Sequence, residues 1–133
     1  MNKAPVHWFI CQLHINELNL RHLFTSLDGT TSGPRSFTGP IGKGCAGDVW
    51  EKAVVPFDAV PGCTEEVPDE AVQQLSSDQK QLYQLARAVQ DGAIRDQTAS
   101  RRIGPINHAR WLTLASRLLR LCVSTTAPSA ELR

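Results

Sequence analysis

No run of about eighteen apolar residues occurs in the chain, so no membrane-crossing helix is expected. The longest apolar stretch, Trp8-Phe9-Ile10-Cys11, stops at Gln12. The residues around Ala4-Pro5-Val6-His7 also lack the apolar segment, roughly 7–15 residues long, and the small-residue cleavage site of a secretory signal. An intracellular, reducing compartment is the expectation. An excess of one charge is missing too: 14 Lys and Arg stand against 13 Asp and Glu, a net charge of +1. That balance is too close to zero to steer the chain toward phosphates or anionic lipids over a distance. Nucleic-acid contact would have to come from a local patch, and no membrane partner is expected. Cysteines are few. Cys11, Cys45, Cys63 and Cys122 are widely and irregularly spaced, in a chain large enough to do without disulfide staples, and read as free thiols.

What is present is ordinary globular composition, with 41% hydrophobic and 20% charged residues, which excludes disorder along the whole chain. A chain of 133 residues can form one modest core, burying roughly two-thirds of its unfolded surface. Pro5 suits the first turn of a helix running toward Ser26. On a helical wheel, Phe9, Leu13, Leu20, Leu23, Phe24 and Leu27 share one arc, and Trp8, Cys11, Ile15 and Leu18 share another. Polar strips separate the arcs, which predicts a helix packed on two sides within a layered fold.

From Asp28 to Pro68 the chain is dense in turn formers, and little regular structure is expected there. Val54-Val55-Pro56-Phe57 reads as an edge or docked strap, because Pro56 removes one ladder donor. So long a loop points to a missing partner. Pro68-Asp69-Glu70 opens a short helix, and Ser76 or Ser77 caps the next, along which Leu82, Leu85, Ala86 and Val89 recur until Asp91-Gly92. A last helix spans about Asn107 to Ser124. Trp111, Leu114, Ala115, Leu118, Leu119 and Cys122 lie on one face, with Thr113, Arg117, Arg120 and Ser124 on the other. The chain thus reads as mainly α. It forms one partial domain over 1–133, with a helix at 1–27, an irregular loop at 28–68, helices at 69–124 and a polar tail at 125–133.

Candidate chemistry is sparse. Gly39-Pro40-Ile41-Gly42-Lys43-Gly44 is not a phosphate-cradling loop, because Phe37 stands where the first Gly is needed and Gly44 offers no hydroxyl for magnesium. A flexible turn is the better reading. Cys11 and His14 share a helical surface, but a zinc site needs two more ligands at a spacing that Cys45, Cys63 and His108 do not offer. No nucleophile–base order or close carboxylate pair stands out, and no cofactor or metal is called for. From Arg101 onward six arginines oppose one acid, Glu131, a local balance of +5. Arg101, Arg102, Arg110, Arg117 and Arg120 are therefore the candidate contacts to duplex DNA. A solvated helix face is the commoner explanation of such charges.

Two motifs carry a resemblance. Cys11-Gln12-Leu13-His14, continuing to Leu18-Asn19-Leu20, resembles the Cys-x-x-His helix of hAT-like DNA transposases. Arg110-Trp111-Leu112-Thr113, continuing to Leu118-Leu119-Arg120, resembles the family's Arg-Trp helix, with Leu-Thr in place of its usual Asn-Ser. The resemblance implies a transposon-derived helical fragment of a ribonuclease H-like α/β architecture. Cys11 and His14 would lie near its active-site face, and Arg110 and Trp111 would be a structural or DNA-proximal element. The family's catalytic acids belong to regions that this sequence does not match, so no catalytic residue carries over and no transposase activity is expected. With DNA as partner, a nuclear location follows. The alternative expectation is a helical interaction module that meets a self or partner chain through its apolar helix faces.

Overall fold

In a computed structural model, residues 12–32, 36–103 and 111–126 are described. Six helices are present among them: α1 (Gln12–Asp28), α2 (Pro40–Ala46), α3 (Asp69–Gln74), α4 (Ser77–Asp91), α5 (Asp96–Ser100) and α6 (Trp111–Cys122). The described residues are mainly helical and contain no strand, only an isolated antiparallel bridge between Thr31 and Phe37. Helix α6 is the hub, packed against α4, α2 and α1, while α5 packs on α4. The start of the first expected helix, from Pro5 to Cys11, lies outside the described residues, as does the tail beyond Thr126.

Helix α4 forms where local chemistry asks for it. Ser76 Oγ accepts from Gln79 N at 3.3 Å and Gln79 Oε1 accepts from Ser76 N at 2.9 Å, a reciprocal cap. Gly92 ends the helix at φ 72°, and a side chain there would also press on Ala59. Leu85, Ala86, Ala88 and Val89 are buried, and Gln81 shares that face instead of Leu82, which is half-buried. Gln81 is tolerated inside because its Nε2 donates to Thr98 O at 2.8 Å, which ties α5 to α4.

The core at the other side of α6 joins Phe24, Cys45 and Leu114, with Leu20, Phe37, Ile41, Leu118 and Leu121 packed around them. Phe24 and Phe37 meet at 5.3 Å between ring centroids, tilted by 47°. Of the two arcs expected to pack on α1, the side chains of Trp8, Phe9, Cys11, Leu13 and Ile15 lie outside the described residues. Phe24 is buried, while Leu18, Leu23 and Leu27 remain 43%, 49% and 47% exposed.

The middle of the chain is more ordered than its turn formers suggest. The run expected to be a flexible turn, Gly39 to Gly44, lies mostly within α2. Pro40 takes its first turn, and Asp28 caps it from the end of α1, accepting from Ile41 N at 2.9 Å and Gly42 N at 2.6 Å. Gly39 and Gly42 serve close approach: a Cβ on the first would overlap Asp28, and one on the second would overlap the Phe37 ring. Downstream, residues 53–67 run as an irregular strap, turning at Pro61-Gly62, pinned to α4 and the end of α6. Val55 N donates to Val123 O (3.2 Å), Val60 N to Val89 O (2.9 Å), Thr64 N to Gln90 Oε1 (3.0 Å) and Val67 N to Tyr83 Oη (3.2 Å). The partner that so long a loop called for is, over this stretch, the chain's own helices.

Candidate functional site

Three of the five candidate arginines, Arg102, Arg117 and Arg120, converge on the segment from Cys45 to Lys52, and the last two do so as structural clamps. Arg117 Nη1 donates to Cys45 O at 2.9 Å and to Gly47 O at 2.7 Å. Arg120 is only 3% exposed. Its Nε donates to Ala99 O at 3.0 Å, its Nη2 to Lys52 O at 2.8 Å and its Nη1 to Ser124 Oγ. The guanidinium also lies over the Trp50 ring, 5.8 Å from the centroid. Burial lowers its pKa, yet three acceptors and an aromatic face keep the charged form compensated.

The expectation that Thr113, Arg117, Arg120 and Ser124 form a solvated polar face of α6 is therefore corrected. Thr113 and Ser116 are buried with Arg120, and Arg117 and Ser124 are partly buried. Segment 45–52 and α5 cover that face. Backbone carbonyls of both segments point inward and need donors, which the arginines supply. Amphipathic periodicity marks the apolar stripe of a helix but cannot reveal that its polar stripe is also covered.

Arg102 is 62% exposed, but it pairs with Glu51 and lies 3.6 Å from Asp48 Oδ2. Arg102 and Asp48, with Arg117 and Trp50, border an open cleft of about 370 Å³. The two carboxylates offset the arginine charge there, so the cleft does not present the positive field that phosphate contact needs. Arg101 is exposed at the end of α5. Arg110 and Cys11 lie outside the described residues, as do the side chains of His14 and Trp111.

Among the described residues, no group of three or more His, Cys, Asp or Glu could hold a metal, and no helix is long and apolar enough to cross a membrane. Cys45, Cys63 and Cys122 are free. Burial pushes the Cys45 thiol up to about 12, with the neighbouring Cys122 adding to the shift, and pushes Cys122 up to about 11. Neither is an activated nucleophile.

Leu23 and Leu27, expected on a packed arc, both stand at the surface. They stand four residues apart on one edge of α1, above a small cleft completed by Phe24, Ile41, Leu118 and Asp28. Comparison of the chain with protein-family models, curated proteins and solved structures finds no match.

Proposed function

We propose that the chain is a non-catalytic helical interaction module that pairs with a second copy of itself along the Leu23–Leu27 edge of α1. The observation that carries this reading is the exposure of both leucines, 49% and 47%, beside an apolar cleft. A net charge of +1 puts little repulsion between two copies. The edge is also self-complementary: in an antiparallel pair about a two-fold axis, Leu23 of each copy meets Leu27 of the other. Asp28, the one acid at the cleft, accepts from two α2 amides, which holds its carboxylate against α2.

Sedimentation equilibrium across a concentration series tests the reading. The wild-type chain is expected to dimerise, and Leu23→Asp with Leu27→Asp to give a folded monomer. A wild-type chain that stays monomeric at its highest soluble concentration, or a dimer indifferent to both changes, would refute it. The transposase-derived fragment, with its ribonuclease H-like core and duplex DNA as partner, is the competing proposal. It demands DNA binding that weakens steeply with salt and is lost in Arg101→Ala with Arg102→Ala. The spending of Arg117 and Arg120 on backbone carbonyls weighs against it.

A further inference from the structure

The groove between α4 and the segment leading into α5 carries positive charge that neither reading uses. It encloses about 290 Å³, near the lower end of the range for ligand pockets, roughly 300–1,000 Å³. Tyr83, Arg87 and Asp91 recur at intervals of four along one face of α4, and Arg95 and Thr98 stand opposite. Two guanidinium groups against one carboxylate leave this lining with a charge of +1.

The walls are set before any ligand arrives. Gln81 holds the Thr98 carbonyl, and Arg95 O accepts from Thr98 N at 2.9 Å and Ala99 N at 3.0 Å, which fixes the backbone from which the Arg95 side chain extends. Donors remain for an acceptor in the groove. Arg87 Nη2 lies 3.6 Å from Asp91 Oδ2, too far for a hydrogen bond. Tyr83 Oη accepts from Val67 N, which leaves its own proton to give. The Ala88 carbonyl near the end of α4 would repel an anion, but it already accepts from Gly92 N and Ala93 N.

The geometry points to a binding site for a small oxyanion, a carboxylate or phosphate group seated between Arg87 and Arg95 and accepting from Tyr83 Oη. Arg87 exchanges its loose contact with Asp91 for a two-point contact with the ligand, the arrangement for which a guanidinium is shaped. Ala88 offers the body of the ligand a small apolar floor.

Isothermal titration of the full chain with inorganic phosphate alone, and separately with benzoate, tests the assignment. At least one is expected to bind saturably at one site. Arg95→Ala is expected to weaken that binding by about tenfold or more, as loss of a charge-assisted bond does. Because α5 uses only the Arg95 backbone, this variant should keep the wild-type circular dichroism, and Arg87→Ala provides an independent second probe. Saturation by phosphate identifies a phosphate site, and saturation by benzoate alone a carboxylate site with an apolar body. No saturation by either probe, or binding unchanged in both variants, overturns the proposal. The result is independent of whether the Leu23–Leu27 edge dimerises.

Discussion

Arg120 on α6 donates through Nη2 to the backbone carbonyl of Lys52 at 2.8 Å, a contact that spans 68 positions of sequence. Together with its bond to Ala99 O, it makes one buried guanidinium the fastener between α6, α5 and the middle segment. Replacing it with Met keeps much of the volume but leaves two carbonyls without their donor. The expected cost is about 2–4 kcal/mol in chemical denaturation, from buried acceptors left unmade. Arg120→Lys should recover little, because an ammonium on a single stem cannot reach Ala99, Lys52 and Ser124 in one plane.

Arg102 provides the opposite case in the same residue type. It is 62% exposed and its partners Asp48 and Glu51 are 48% and 65% exposed, so solvent and salt screen the pairs. Arg102→Ala should cost less than about 1 kcal/mol, and the difference should shrink further in high salt.

The cap that Asp28 gives α2 is a second long-range dependence. Asp28→Ala should destabilise the chain by about 1–2 kcal/mol, the usual cost of an N-terminal cap. Gly39→Ala should be worse despite a favourable backbone φ of −86°, because its Cβ would overlap the Asp28 carbonyl. Thermal melts of the two variants give this order directly.

Alkaline pH should reveal the buried thiols. In the unfolded chain they ionise near 9, whereas in the fold Cys45 is held up to about 12 and Cys122 up to about 11, mainly by burial. Above pH 9 the unfolded state therefore releases protons that the folded state keeps, and stability falls as pH rises. Below pH 9 this contribution is fully present. Denaturation midpoints should decline from pH 9 to 11, and Cys45→Ala should flatten the decline. Iodoacetamide on the native chain should label Cys63, the least buried of the three, before Cys122 and Cys45.

The helix from Ser77 to Asp91 was legible because its signals are local: a Ser at its cap, apolar residues at helical spacing, and a Gly where the left-handed turn falls. The apolar stripe of α6 was legible for the same reason. The candidate basic site was legible only as a list of residue types. Whether Arg117 and Arg120 meet solvent or protein depends on where the segment around Cys45 to Lys52 lies, and nothing in their spacing records that.

By itself, then, the sequence determined α3, α4 and α6 but not α5, and the absence, among the described residues, of a helix long and apolar enough to cross a membrane; it left Val54–Phe57 as an edge or a docked strap, of which the structure shows the second. Periodicity and capping act within a few residues of chain and need no distant partner. Tertiary structure alone decided that Gly39–Gly44 would wind largely into α2, capped from α1. It also turned the arginines of α6 inward and left Leu23 and Leu27 outside the core. The physical reason is shared by all three. Unpaired carbonyls, amides and apolar edges are satisfied by whichever groups the assembled fold brings near, across dozens of residues of separation.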